Sequence, residues 1–316
     1  MPRRTLTVTK ITYQKRNSRN KFLNVAELPD RRDMLFLFHG FAKGLDSTRL
    51  VDRSAEKYAA ISKLEPVGRT LGIQTLSGKF GEEGETRDID THRVIQRFVK
   101  KNANAVLTHG VLLVPKMGTS ALLFIERSGG MGGSSDLVKL FKEDFQTTYP
   151  DYTMQLTSLV EKEAWLEHAQ LERVSATLHG HSADVTNKTV GKVVGDLQHV
   201  LTPPKGEHLP NALWKALRNK NINRGKLLAF PDGHDPDEVV VALSSGSTRK
   251  TFVLGREKTP SISYLLSDSN QAPKNSRAVL RFCLDEATSL FKNVGVEWEY
   301  SHSAGVWSPA DLTHRL

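Results

Sequence analysis

Cysteine is nearly missing: Cys283 is the only one in 316 residues. That excludes an intramolecular disulfide and a cysteine-built zinc cluster. Its apolar surroundings, Val279 to Leu284, point to a buried structural thiol. No apolar run approaches the ~20 residues that a bilayer-spanning helix needs. Met1-Pro-Arg-Arg opens without the apolar core of a signal peptide, so the expected compartment is the reducing cytoplasm. Hydrolase, zincin, Walker and kinase signatures are all missing. No catalytic residue, cofactor or metal is therefore assigned. Acids are absent from residues 1–21 and 211–226, and those gaps turn attention to what is present.

Lys and Arg number 44 against 35 acids, a net charge of +9 and a sequence pI of about 9.5. Such a balance favours a polyanionic partner, nucleic acid before membrane. The first acid-free stretch holds Arg3, Arg4, Lys15, Arg16, Arg19 and Lys21, expected as a strand over 5–13 and a basic loop after it. It suits a phosphate-contacting arm; equally, Lys and Arg protect strand edges. The second holds Lys215, Arg218, Lys220, Arg224 and Lys226 beside Leu213, Trp214 and Leu217, expected as an amphipathic basic helix and loop. A hairpin over 238–254 is expected to carry Arg249 and Lys250 at its tip.

At this length two domains fit. The expected fold class is α+β, with mixed or antiparallel sheets covered by helices. The expected division is 1–184, 185–300 and a loosely held polar tail 301–316, with a hinge near Pro203-Pro204-Lys205-Gly206. The middle of the chain reads most clearly. It predicts strands at 111–114 and 121–125, a glycine-rich loop at 129–133, and a helix capped by Ser134 or Ser135. A strand over 152–160, a helix over 161–169 and a strand over 171–179 follow. Elsewhere the patterns predict a buried strand at 34–38, a helix within 49–63 and an exposed helix over 90–101. Further predictions are a helix over 185–201, a long helix over 275–292 and a last strand at 296–300. His179, His181 and Asp184 have metal-like spacing but no third strong ligand. The glycine loop opens a helix as phosphate loops do, without their lysine or spacing.

The order strand, loop, Ser134-Ser135-Asp136-Leu137 helix, then the run from Leu156 to Gly180 resembles the middle of the phage exclusion protein RexA family. The Met34–Lys43 run resembles that family's apolar Phe-Leu-Phe strand. The likeness covers about a third of the chain and rests on order and spacing. It implies a fold related to RdgC, a homodimer of hinged two-domain subunits, and double-stranded DNA bound without sequence preference. It also implies phage exclusion in a bacterial host alongside a membrane partner of the RexB type. The family has no short signature to transfer, so the candidate DNA contacts come from charge alone. Two other classes stay open. One is a Mg-dependent nuclease of an anti-phage system, with scattered carboxylates such as Asp88 and Asp90. The other is a protein-interaction sensor whose basic face is incidental.

Overall fold

The computed structural model describes residues 3–18, 21–129, 131–159, 166, 169–183, 193–219, 221–245, 248–254, 263–267, 271–314 and 316. The fold is α+β. The chain divides into two compact units, Met1–Ser158 with Leu266–Leu316, and Leu159–Leu265. Positions 184 and 201–206 both fall inside the second unit, and the C-terminal segment belongs with the first.

Unit 1 is built on β1 (Arg4–Lys15), which pairs antiparallel with two strands at once. Its first half takes β8 (Ala121–Ser128), with Val8 opposite Phe124; its second half takes β9 (Tyr152–Ser158), with Tyr13 opposite Met154. The sheet continues from β8 through β7 (Asn104–Leu113), β4 (Thr70–Lys79), β3 (Lys57–Val67) and the short β2 (Val51–Asp52). Both faces of the sheet are covered. Ile73, Leu112, Leu123 and Ile125 join one core with α1 (Met34–Gly44) and α2 (Ser134–Thr148). The alternate residues Leu6, Val8, Val111, Leu122 and Phe124 are buried as well, and α5 (Ser276–Asn293) packs on β4 and β7. A sheet buried on both sides explains the unbroken apolar runs of β7 and β8.

Several elements differ from the sequence reading. Met34–Phe38 opens helix α1 rather than forming a strand. Asp33 caps it, its Oδ1 accepting from Leu35 N–H at 2.8 Å, and eight of its residues from Met34 to Ala42 are buried. A helix buried all round shows no amphipathic period. Lys57–Val67 is strand β3, not helix, and Tyr300–Ser303 is a single 3₁₀ turn rather than part of a strand. Residues 90–101 form no helix. They belong to a two-stranded ribbon, β5 (Gly84–Arg87) with β6 (Val94–Phe98). Asp88 turns the ribbon, its Oδ1 accepting from Asp90 N–H, Thr91 N–H and the Thr91 hydroxyl, which is the Asx-turn geometry.

The expected caps of α2 also differ. Gly133 is the N-cap residue and makes no side-chain capping bond. Ser134 Oγ is buried and lacks a hydrogen-bond partner, while the Ser135 hydroxyl donates to Gly132 O at 2.8 Å. The glycine run is a packing device. A Cβ at Gly132 would lie 2.6 Å from Glu126 O, and one at Gly133 would lie 3.0 Å from Thr75 Cβ. The tail is held as well: Trp307 is buried and donates through Nε1 to Gly68 O at 2.8 Å. Leu312 and Leu316 pack against the α1–α2 core.

Unit 2 is a four-stranded antiparallel sheet in the order β11 (Val193–Leu201), β10 (Gln170–Ala183), β12 (Glu238–Ser245), β13 (Thr248–Leu254). Residues 193–201 are thus strand where a helix is predicted; 184–192, including Asp184, lie outside the described residues, as does most of 161–169. Helix α3 (Asn211–Arg218) packs on β10. Its Trp214 is 1% exposed and donates through Nε1 to Leu166 O at 2.8 Å. The basic helix ends at Arg218, and the expected loop after it carries a short helix, α4 (Arg224–Leu227), with Asn223 Oδ1 accepting from Lys226 N–H. The short strand β14 (Ser263–Ser267) leads the chain back towards unit 1.

Candidate nucleic-acid interface

The cations singled out by the sequence separate into three groups. Lys15, Arg16 and Lys21 are exposed at and beyond the end of β1, and Lys215 and Lys226 are exposed on α3 and α4. Arg19 and Lys220 lie outside the described residues, as does the side chain of Arg249. The remaining cations are tied into their own unit. Arg4 is 11% exposed in its side chain, and its Nη1 donates to Glu126 Oε1 and Leu107 O at 2.9 Å each. Arg3 is half-buried. Arg218 lies over the Trp214 ring, 5.5 Å from its centroid. Arg224 Nε donates to Leu217 O at 3.1 Å, and desolvation pushes its pKa down. Lys250 is 6% exposed with its ammonium over Tyr264. It pairs with Leu243 rather than sitting at the turn, so it is no tip residue.

The buried partner of Arg4 explains why that arginine is committed. Glu126 is fully buried and accepts from Arg4 Nη1, His109 N–H at 2.9 Å and His109 Nδ1 at 2.6 Å. Burial alone would raise its pKa. The hydrogen bonds from His109 and Arg4 outweigh that and hold it below the ordinary carboxylate value. A buried carboxylate is tolerated only when its lone pairs are met in this way.

A broad concavity of unit 1 lies elsewhere, where β2, β3 and the end of β4 meet the glycine loop and α2. It is a cleft of about 980 Å³. Six cations line it. Arg49 is committed to Asp144 through two hydrogen bonds of 2.6 and 2.7 Å, and Lys139 lies 3.5 Å from Asp136. Arg53, Lys57, Lys79 and Arg127 make no ion pair with any described residue. Lys57 and Lys79 are cross-strand partners at the open end of β3 and β4. Like charges in that position repel and destabilise a sheet. Of the acids lining the cleft, Asp52 accepts from Ser54 N–H, the Ser54 hydroxyl and Ala55 N–H. Those bonds, all to Oδ1, hold its pKa down, and the nearby Lys57 adds to the effect. Asp136 and Glu143 complete the acidic lining.

No acid-free run announces this site. The four cations without an ion pair among the described residues come from the turn after β2, the ends of β3 and β4, and β8. Asp52, Glu56, Glu82 and Glu126 are interleaved in the sequence around them. Only the pairing of β3 with β4 and the return of β8 beneath the glycine loop gather them.

Of the expected metal cluster, the side chain of His181 and all of Asp184 lie outside the described residues. His179 Nδ1 lies 2.9 Å from Asp196 Oδ2, and His179 N–H donates to Asp237 Oδ2 at 2.9 Å. These bonds fix a bulge in β10 at Gly180, φ +61°. Among the described residues no group of three His, Cys, Asp or Glu is placed to hold a metal. No helix among them is long and apolar enough to cross a membrane. No family model, curated protein or solved structure matches the chain.

Proposed function

We propose that this protein binds double-stranded DNA through the phosphate backbone, without strong sequence preference, and performs no chemistry on it. The observation that carries this reading is the set Arg53, Lys57, Lys79 and Arg127 around one cleft, with Lys57 facing the like-charged Lys79 on one side and a single acid, Asp52, on the other. A row of phosphates relieves that repulsion, and each contact releases condensed counterions. The exposed cations Lys15, Arg16 and Lys21 of unit 1, and Lys215 and Lys226 of unit 2, add to the attraction. Contacts of this kind position a protein on DNA without reading base edges. The RexA-family likeness supports the same reading, and with it a homodimer acting in phage exclusion beside a membrane partner.

The test is retardation of unrelated duplexes of equal length. They should bind within a few-fold of one another. A preference above ~10³ for one sequence, the lower end of specific readout, overturns the reading. So does the absence of any retardation at moderate salt.

A further inference from the structure

The cleft of unit 1 has a composition that a duplex backbone does not use. Apolar groups share its lining with polar ones: Leu50 is 6% exposed, and Val51, Tyr58 and Leu140 are half-buried. Its rim holds the exposed Arg53, Lys57 and Lys79 together with the half-buried Arg127. Tyr58 lies opposite Gly78 on β4, which offers no side chain to cover its ring, and opposite Val51 on β2. A Cβ at Gly78 would lie 2.0 Å from Asn104 O, so the close approach of β7 keeps that position glycine. Sites for small ligands have volumes of about 300–1,000 Å³, apolar walls and a few placed polar groups; the cleft, at about 980 Å³, falls at the upper end. A duplex keeps its bases stacked inside and lays only phosphates along the rim. An unstacked nucleotide fills both parts of the cleft, its base against the aromatic ring and its phosphates on the cations.

We propose that this cleft is a nucleotide pocket, in which Tyr58 with Leu50, Val51 and Leu140 takes a base while Arg53, Lys57, Lys79 and Arg127 take its phosphates. The inference rests on the DNA-binding reading for the polyanion and names what enters the cleft itself. Two sources supply this chemistry, a free nucleoside polyphosphate and the phosphorylated end of a DNA strand.

Calorimetric titration of the full chain separates them. The probes are ATP, adenosine, inorganic pyrophosphate, and a single-stranded hexamer with and without a 5′-phosphate. Retardation of closed circular duplex is measured alongside. ATP binding well ahead of adenosine identifies the free nucleotide; a gain only from the hexamer's 5′-phosphate identifies the strand end. In either case Lys79→Glu should weaken binding at least about tenfold, the loss expected for one charge-assisted contact. Tyr58→Ala should weaken it by about fivefold to a hundredfold, the range for one lost stack, whereas Tyr58→Phe keeps it. Thermal melts check that each variant folds, and Arg53→Glu, at an exposed turn, serves if Lys79→Glu does not. Pyrophosphate binding as tightly as ATP, with no effect of Tyr58→Ala, overturns the proposal in favour of a plain anion patch. Failure of every probe to bind at 1 mM overturns it too. Circular duplex retained in that case leaves the DNA reading standing, and its loss removes both.

Discussion

Replacing Glu126 with leucine removes the acceptor on which a buried cluster depends. The carboxylate is 0% exposed and meets three donors: Arg4 Nη1, His109 N–H and His109 Nδ1. Leucine of similar volume leaves no large cavity. It strands a guanidinium that is 11% exposed and an imidazole that is 7% exposed. Breaking a buried pair by removing one partner costs about 3–5 kcal/mol, mostly the uncompensated charge left behind. For a unit of this size each kcal/mol moves Tm by about 2–4 °C, so differential scanning calorimetry should show the unit 1 transition falling by roughly 6–20 °C. The same residue makes stability depend on pH. Its folded pKa lies below the unfolded value of about 4.3, so its contribution is complete above that value and is lost as pH falls through the folded pKa. Glu126→Leu should therefore flatten the acid limb below about pH 4.3 as well as lowering the plateau. A Tm within about 2 °C of wild type, with an unchanged acid limb, refutes the claim that this cluster is a buried ionic network.

Three further outcomes follow from named contacts. Trp214→Ala should cost about 3–5 kcal/mol in a denaturant melt of unit 2, because the indole is 1% exposed and its N–H bonds Leu166 O. Lys79→Glu should raise thermal stability slightly, by about 0.2–1 kcal/mol, since it replaces a like-charged cross-strand pair with an opposite one; the same substitution should weaken duplex binding in a gel shift. Lys215→Ala with Lys226→Ala should leave the melt unchanged, both side chains being exposed, and should flatten the log-log salt slope by about 1.8 if both touch phosphate.

The sequence revealed elements wherever local pattern and burial agreed. The strands around 111–114 and 121–125, the helix after Ser134, the 238–254 hairpin and the long helix from Asn275 all have one clear period or a clean apolar run. It misled where tertiary burial removed the period. Met34–Ala42 is covered on all sides, so its apolar run imitates a strand, and Asp33 as cap was the available sign of a helix. Residues 90–101, which hold the second strand of the ribbon, read as a helix because Val94, Ile95 and Phe98 recur at helical spacing. In the tail, one buried tryptophan bonded to Gly68 decides the packing, and its partner lies far away in the chain. The charge reading suffered in the same way. Acid-free runs supplied Arg4, Arg218 and Arg224, and the expected hairpin tip supplied Lys250; all four engage carboxylate, carbonyl or ring partners. The cleft cations, dispersed among acids, are gathered only by strand pairing.

The salt dependence of duplex binding tests the central claim most directly. Four phosphate contacts by Arg53, Lys57, Lys79 and Arg127 alone give a log-log slope near −3.6, which weakens binding about a hundredfold between 50 and 200 mM salt. The exposed cations outside the cleft steepen it further. Lys57→Ala with Lys79→Ala should make the slope shallower by about 1.8 and weaken every duplex alike. A double variant with the wild-type slope and affinity contradicts the account, because the cleft then contributes nothing to DNA binding.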